Sequence, residues 1–256
     1  MFIREGLLKK GGLIVEAIRT KGLTKKYKDT VAVDHLDLTV EQGELLALIG
    51  VNGAGKTTTV KMLSCLTLPT EGEAFVGGHD VVNEAGAVKA IIGVSPQETA
   101  VAPQLTVREN LSLLCGAYGM TKAATEQAVA AMAERFDLGA VLGKKAGKLS
   151  GGWQRRLSIA MALIGEPSIL FLDEPTLGLD VLARRELWDI IRALKGTVTV
   201  VLTTHYMEEA EELSDRVAVM RDGRMLACGT ARQLEEQTGT DRLEAAFVAL
   251  VKEGSV

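Results

Sequence analysis

The sequence predicts an α/β fold in which a helical insertion divides a strand-rich core. Aliphatic and β-branched side chains concentrate in short segments at residues 45–49, 169–172 and 198–203, as in strands buried on both faces of a sheet. Each segment leads into a polar loop, and open α/β sheets bind ligands beyond the carboxyl ends of their strands. Between about residues 96 and 165 the apolar spacing is helical, without a convincing strand. We therefore expect functional loops at one edge of a sheet and a helical insertion beside them.

Local signals predict further elements on either side of this core. Thr106 and Glu109 have the spacing of a capping box at the start of a helix in the insertion. Candidate strands lie around residues 16–21 and 36–40, and the sequence RDGR at residues 221–224 is typical of a hairpin turn. Near the end of the chain, an apolar stripe indicates a helix that packs on its own domain, formed by Leu243, Ala246, Phe247, Leu250 and Val251.

The composition excludes several classes of protein. The chain has 256 residues, 47% of them hydrophobic, which is enough to bury a sizeable core and argues against disorder. Its formal net charge of −4 provides no basic field that would attract nucleic acid, so no nucleic-acid partner is expected. The longest apolar stretches are far shorter than the roughly 18 to 20 residues of a membrane-spanning helix. Charges interrupt the apolar opening, so residues 1–13 are predicted to be a leader segment and not a secretory signal.

Residues 50–57, GVNGAGKT, fit the phosphate-binding pattern GxxxxGK[ST] directly after a predicted strand. Glycines let backbone N–H groups turn inward around phosphate oxygens, and the N-terminus of the following helix adds positive potential. Lys56 would reach the β and γ phosphates of ATP, and the Thr57 hydroxyl would ligate Mg²⁺. An accidental glycine-rich turn is the alternative, and the position between a strand and a helix argues against it. The nucleotide-binding residues predicted here are Asn52, Gly53, Ala54, Gly55, Lys56, Thr57 and Thr58.

Two acidic side chains end the second apolar segment, which we expect to run beside the phosphate-binding loop. Asp173 would hold Mg²⁺, and Glu174 would orient or deprotonate the attacking water. Paired acids also occur at ordinary loop starts, but together with Lys56 they favour a hydrolytic site. His205 and Gln97 follow other predicted strands, and each alone would be an ordinary surface residue. The neighbouring motifs make His205 a catalytic candidate and Gln97 a candidate for contact with the metal or the water.

Residues 149–156, LSGGWQRR, resemble the signature sequence of ATP-binding cassette (ABC) ATPases. Ser150 and the amides of Gly151 and Gly152, placed at a helix N-terminus, would form a second anion site. An ordinary N-capped helix start is the alternative. The presence of this sequence about a hundred residues after the phosphate-binding loop favours the signature interpretation.

The resemblance covers residues 18–251, and the landmarks of the family occur in order. The matching positions are Tyr27 for the aromatic that stacks on adenine, residues 50–58 for the Walker A loop, Gln97 for the Q-loop, Ser150, Gly151 and Gly152 for the signature, Asp173 and Glu174 for Walker B, Asp180 for the D-loop and His205 for the switch histidine. It implies a P-loop NTPase (RecA-like) core with an antiparallel β subdomain and an α-helical subdomain inserted at about residues 96–165. We expect one nucleotide-binding domain over residues 14–240, followed by a C-terminal helix over residues 241–256.

The resemblance also implies a mechanism that needs two copies of the domain. They would close head to tail around two ATP molecules, so that Ser150 and Gly152 touch the γ phosphate held by the partner's Lys56. His205 would contact the γ phosphate and help to hold Glu174, while Asp180 would carry coupling across the interface.

Two positions depart from the most frequent residues of the family. Val51 stands where many members have proline, and Trp153 stands where the fullest signature has glutamine. Val51 would contribute mainly its backbone, and Trp153 follows the residues expected to touch phosphate. Because the catalytic set is otherwise intact, we expect an active ATPase with ATP and Mg²⁺ as ligands.

Residues 204–211, THYMEEAE, and the length of a single cassette resemble those of ATPases of bacterial multidrug and polysaccharide-type export systems. This resemblance implies a separate transmembrane permease, with residues 97–118 as the candidate docking surface and a location at the cytoplasmic face of the cell membrane. One alternative is a soluble ABC-type ATPase acting on nucleic acid or the ribosome, which long coiled-coil arms or a second cassette would favour. Neither feature occurs in this sequence. Another is an inactive nucleotide-sensing regulator, against which the intact Glu174 and His205 argue.

Overall fold

A computed structural model describes residues 15–253, so the leader segment predicted at residues 1–13 lies outside the described residues. The strands in chain order are β1 (Glu16–Tyr27), β2 (Thr30–Glu41), β3 (Leu45–Gly50), β4 (Glu71–Val76), β5 (His79–Asp80), β6 (Ile92–Ser95), β7 (Ile169–Asp173), β8 (Thr199–Thr204), β9 (Arg216–Arg221) and β10 (Arg224–Gly229). The helices are α1 (Lys56–Leu63), α2 (Ala85–Ile91), α3 (Val107–Ala117), α4 (Lys122–Arg135), α5 (Gly151–Leu163), α6 (Val181–Arg192), α7 (Met207–Leu213), α8 (Ala231–Thr238) and α9 (Leu243–Glu253). Among the residues described, no helix combines the length and the apolar character needed to cross a bilayer.

The strands form two sheets. An antiparallel sheet has the order β2-β1-β4-β5, and a mixed sheet has the order β10-β9-β3-β8-β7-β6. In the mixed sheet only β10 runs antiparallel to its neighbour. The ABC-type fold expected from the sequence, with an antiparallel sheet beside a core of parallel strands, is therefore confirmed.

The core strands of the mixed sheet are buried on both faces. Every residue of β3, β7 and β8 is buried, because helices cover both sides of a parallel sheet. The three predicted core strands are thus confirmed, but their spatial order differs from the prediction. The strand that carries the acids, β7, does not run beside the strand of the phosphate-binding loop, because β8 lies between β3 and β7. Strand order depends on how each helical crossover packs on the sheet, and no local sequence signal encodes that packing.

Helices occupy the stretch between β6 and β7, as the apolar spacing predicted. The capping box of α3 forms: the Glu109 backbone N–H donates to Thr106 Oγ1 at 3.1 Å, and the Thr106 N–H donates to Glu109 Oε2 at 2.7 Å. Apolar side chains of α3 and the end of α4, including Leu111 and Phe136, are fully buried against α5 and the sheet core. Helix α5 is buried from Arg155 to its end, so it joins the helical region to the mixed sheet.

The chain ends in elements that the sequence also predicted. The hairpin between β9 and β10 turns at Asp222 and Gly223, both with positive φ, 49° and 80°, which is the conformation of a tight type I′ turn. Helix α9 buries Leu243, Ala246 and Leu250 in the core that includes β9. Its apolar stripe therefore packs on the chain's own domain.

Candidate functional site

The loop between β3 and α1 is held in a conformation that only glycine adopts without strain at two positions. Gly53 and Gly55 have φ angles of 84° and 99°, in the left-handed region. A Cβ atom on Gly55 would lie 2.5 Å from the carbonyl oxygen of Ala32, so backbone from β2 closes the space beside the loop. The loop therefore wraps tightly in front of the N-terminus of α1, which is the arrangement that binds anions.

Lys56, the first residue of α1, is a buried cation folded back over this loop. Its side chain is 7% exposed, and its Nζ donates to the carbonyl oxygen of Gly50 at 2.7 Å. Glu174 Oε1 lies 3.8 Å from the same Nζ. Burial lowers the pKa of the Lys56 ammonium below its ordinary value, although the Glu174 and Asp173 carboxylates oppose that shift. The Lys56 ammonium is thus a cation that lies beside the phosphate-binding loop with little access to water.

Asp173 connects the loop to the sheet even though β8 separates β7 from β3. Thr57 Oγ1 donates to Asp173 Oδ1 at 3.1 Å, and Thr203 Oγ1 in β8 donates to the same oxygen at 2.5 Å. Thr203 and Asp173 are register partners in the sheet, which explains their contact. Sequence reasoning missed Thr203, and the only signal for it is its position two residues before His205 at the end of a strand.

Glu174 lies between the lysine and the histidine. Its Oε2 accepts from His205 Nδ1 at 2.8 Å, so the imidazole proton sits on Nδ1 when Glu174 is ionised. The φ angle of Glu174 is 50°, which is unusual for a residue other than glycine. This backbone conformation costs about 1–3 kcal/mol. The Glu174 backbone N–H donates to the Thr203 carbonyl at 3.1 Å and to the Thr203 hydroxyl at 3.0 Å, which holds this strained conformation. Hydrogen bonds therefore fix both the side chain and the backbone of Glu174.

An open cleft of about 680 Å³ brings most of the predicted site residues to one place. Those that line it are Tyr27, Asn52, Gly53, Ala54, Gly55, Lys56, Thr57, Thr58, Gln97, Glu174 and His205. Asp173 lies below it, bonded to Thr57. No group of three or more His, Cys, Asp or Glu side chains among the described residues could hold a metal ion by itself.

Ser150, Gly151, Gly152 and Asp180 do not line this cleft. Ser150 is the exposed N-cap of α5, and its side chain makes no capping bond. Asp180 is the exposed N-cap of α6 and accepts from the backbone N–H groups of Leu182 and Ala183 at 3.0 and 2.9 Å. A Cβ on Gly152 would lie 3.2 Å from that of Ala183, so the two helix starts are neighbours. The chain thus carries a second, separate edge made of two helix N-termini.

Arg155 links these two parts of the molecule, and sequence reasoning missed it. It lies on α5, is 5% exposed, and donates through Nη1 to the Pro96 carbonyl at 2.7 Å and through Nη2 to the Gln97 carbonyl at 2.6 Å. Burial lowers the pKa of its guanidinium, while Asp173 and Glu209 oppose that shift. The paired arginines of the RR sequence give no signal as to which one points inward.

The chain is similar to known proteins in sequence and in fold. The ABC transporter family model matches residues 33–177. A daunorubicin resistance ATP-binding protein of Streptomyces coeruleorubidus is 45% identical over 229 residues, covering 89% of this chain and 72% of the relative. Nod factor export ATP-binding protein I of Burkholderia pseudomallei (strain 1710b) is 42% identical over 232 residues, covering 90% of this chain and 76% of the relative. A solved dimeric ATP-binding cassette in a post-hydrolysis state, bound to ADP and Pi, has a TM-score of 0.76 and 28% identity and covers 83% of this chain and 98% of that one.

Proposed function

Since the chain belongs to the ABC transporter family as an ATP-binding subunit, we propose that it hydrolyses ATP in the cleft described above and so powers export through a separate permease. The observation that carries the proposal is the placement of Glu174 between Lys56 and His205 at the mouth of the phosphate-binding loop. We assign this activity to one nucleotide-binding domain over residues 14–240.

The loop and Lys56 bind the triphosphate. Inward-turned backbone N–H groups and the N-terminus of α1 supply donors and positive potential for phosphate oxygens. The Lys56 ammonium donates to the loop's own Gly50 and Val51 carbonyls at 2.7 and 3.4 Å, and its third N–H is a donor for the β and γ phosphates. Tyr27, 45% exposed at the cleft wall, offers a ring face to adenine.

Glu174 acts on the attacking water. As water oxygen bonds to the γ phosphorus, the bond between that phosphorus and the β–γ bridging oxygen breaks, and ADP leaves with its electron pair. The water proton passes to the Glu174 carboxylate, whose orientation is set by the hydrogen bond from His205 Nδ1.

The oxygen atoms around Asp173 fit Mg²⁺. The Thr57 hydroxyl and the Asp173 carboxylate lie 3.1 Å apart, and both are hard oxygen ligands of the kind that this ion prefers. Mg²⁺ usually takes only one or two carboxylates and completes its shell with phosphate and water, so a cluster of three acids is not required. We propose Thr57, Asp173 and Gln97 as the residues that hold or face it. When bound, it neutralises charge on the β and γ phosphates.

A second copy of the domain completes the site. ABC cassettes form dimers, and the solved dimeric cassette covers most of this chain. We propose that Ser150, Gly151 and Gly152 of one copy meet the γ phosphate bound by the other. The exposure of Ser150 and the free N-terminus of α5 support this role. Asp180, exposed at the neighbouring helix start, would lie at the same interface.

The permease would dock at the helical region on the cytoplasmic face of the membrane. Helix α3 and its end expose two large apolar side chains, Leu113 at 56% and Tyr118 at 46%, within the predicted docking range of residues 97–118. We propose these two side chains as contacts with the permease. The daunorubicin resistance and Nod factor export relatives support export as the direction of transport.

Replacement of Glu174 by glutamine tests the catalytic assignment. Glutamine preserves the shape and the contact with His205 but cannot accept the proton, so turnover should fall by about 10²- to 10⁴-fold while ATP binding is retained and a dimer accumulates. Phosphate release and size-exclusion chromatography measure these results.

Glu166→Gln is a matched control, because Glu166 also precedes a proline and has a φ angle of 52° but is exposed outside the cleft. Its turnover should equal that of the parent chain. Unimpaired hydrolysis by Glu174→Gln would exclude Glu174 as the base.

A further inference from the structure

A fully buried carboxyl lies behind the site, on α7. Glu209 is 0% exposed and follows His205 by one helical turn. Trp188, 5% exposed on α6, donates its indole N–H to Glu209 Oε1 at 3.1 Å. Since α6 begins at Asp180, this bond joins the helix of the outer edge to the segment that carries His205. A buried acid lowers the stability of the fold unless its polar atoms are hydrogen-bonded.

The other oxygen of this carboxyl faces a second buried polar atom. Among residues 15–253, neither Glu209 Oε2 nor Thr176 Oγ1 has a hydrogen-bond partner of normal geometry. The Thr176 and Thr204 hydroxyls nevertheless lie close enough to act on the Glu209 carboxyl. Thr176 follows Glu174 by two residues, and Thr204 directly precedes His205. The carboxyl therefore sits where the Glu174 loop, the end of β8 and α6 converge.

The groups around Glu209 act on the pKa of its carboxyl in opposite directions. Burial raises the pKa of its carboxyl, and the nearby Glu174 carboxylate adds to the rise. The polar groups of Thr204, Thr176 and Trp188 lower the pKa without cancelling the effect of burial. Arg155 is the buried cation that faces Glu209. Thr176 Oγ1, which has no partner of normal geometry among residues 15–253, belongs to a hydroxyl that can donate to this carboxyl or accept from it.

A second contact one turn earlier ties the same two elements together. The Arg184 guanidinium lies over the Tyr206 ring, 4.5 Å from its centroid, and the Tyr206 ring lies 4.2 Å from the His205 ring. Arg184 and Trp188 are four residues apart and so share one face of α6. Helix α6 thus contacts the His205 segment at two successive turns.

We propose that Glu209 is a positioning residue whose buried carboxyl fastens the loop after Glu174 and the strand end before His205 to α6. In this role it sets the distance between the two side chains that act on the attacking water. The inference rests on the proposed function, since it assigns Glu209 a purpose only through Glu174 and His205. Glu209 touches neither the cleft nor the nucleotide-binding loop.

Steady-state ATPase kinetics of Glu209→Ala and Glu209→Gln, with calorimetric ATP binding, test the proposal. In Glu209→Ala the kcat should fall by about 10- to 100-fold, because small displacements of catalytic groups have effects of that size. Its ATP affinity should stay within about twofold, since the phosphate-binding loop is untouched. Glutamine keeps one donor and one acceptor, so Glu209→Gln should restore kcat to within about threefold of the parent chain.

Glu208→Ala is the matched control, because Glu208 is the exposed neighbour on the same helix, and its kinetics should be unchanged. Parental kcat in Glu209→Ala would overturn the proposal, as would loss of ATP affinity in parallel with kcat. Equal impairment of Glu209→Gln and Glu209→Ala would show that hydrogen bonds of this side chain do not position the two elements, and would overturn the proposal. If Glu209→Ala does not fold, Trp188→Phe replaces it: a lower kcat with parental ATP affinity supports the proposal, and an unchanged kcat overturns it. Parental turnover by Glu174→Gln would instead overturn the catalytic assignment of Glu174 on which this proposal rests.

Discussion

The nucleotide cleft and the edge formed by the starts of α5 and α6 are built in opposite ways. In the cleft, Lys56 and Glu174 are buried and held by hydrogen bonds within the chain. At the edge, Ser150, Gly151 and Asp180 are exposed. The groups proposed to hold phosphate in the cleft are therefore contacted within one copy, whereas Ser150, the N-cap of α5, is exposed and makes no capping hydrogen bond. This contrast is what a site shared between two copies requires.

The backbone conformation also differs between the cleft and the edge. Gly53, Gly55 and Glu174 all have positive φ angles in the cleft, so its geometry is fixed before a ligand arrives. At the edge, Ser150 has an ordinary extended conformation with φ −64° and ψ 160°. The cleft therefore contains backbone conformations that Ser150, at the edge, does not adopt.

Replacement of Lys56 by alanine should have the largest effect and should break the cleft alone. It removes charge-assisted hydrogen bonds to phosphate, so ATP should bind about 10- to 150-fold more weakly in calorimetry. Turnover should fall by about 10²- to 10³-fold, as expected for loss of a charge-stabilising donor. Lys61→Ala, at an exposed position of the same helix, should match the parent chain. Parental affinity in Lys56→Ala would show that the lysine does not bind the triphosphate.

Gly151→Asp should break the edge and leave the cleft intact. A side chain fits there, since an added Cβ would meet only Leu179 Cδ2 at 4.0 Å. The carboxylate would repel the γ phosphate presented by the second copy, so turnover should fall at least about tenfold while the ATP affinity of the single chain is unchanged.

Gly143→Asp adds the same charge at another exposed glycine with free space around it and serves as the control. Its turnover should be that of the parent chain. Loss of ATP affinity in Gly151→Asp would contradict the separation of the two regions.

Asp180→Ala should have the smallest effect of these variants. It tests whether Asp180 at the edge acts as a helix cap or through its charge at the interface. It removes the N-cap that accepts two backbone N–H groups of α6, so the free energy of unfolding in urea should fall by about 0.5–2 kcal/mol. Asp180→Asn keeps a capping oxygen and should recover most of that stability. If Asp180→Asn is stable yet loses turnover, the charge acts at the interface; if both variants unfold like the parent chain, the capping role is wrong.

Local sequence signals predicted the parts of the fold that depend on neighbouring residues. The capping box at Thr106, the hairpin turn at Asp222 and the glycine-rich loop before Lys56 formed as expected, because each is specified within a few residues. The phosphate-binding loop, Asp173 and Glu174 were predicted from the residues themselves, and the resemblance to a family added Tyr27, Asp180 and the antiparallel β subdomain. Neither source gave the position of β8 between β3 and β7.

The missed residues act through contacts distant in sequence. Thr203 reaches Asp173 across 30 positions, and Arg155 reaches Gln97 across 58. Glu209 looks like one of several glutamates on a charged helix until packing shows that Trp188 covers it. Such residues have no local sequence signature, because their contacts form only once the strand order and the helix packing are established.

Mixing two inactive variants tests most directly whether the site is shared between copies. A chain with Lys56→Ala lacks a working cleft but keeps its edge, and a chain with Gly151→Asp has the reverse defect. In a mixed dimer, the intact cleft of one copy faces the intact edge of the other. With random exchange, half of the dimers are mixed and each has one complete site of two, so an equimolar mixture should reach about a quarter of parental turnover. Turnover no higher than that of either variant alone would contradict the account.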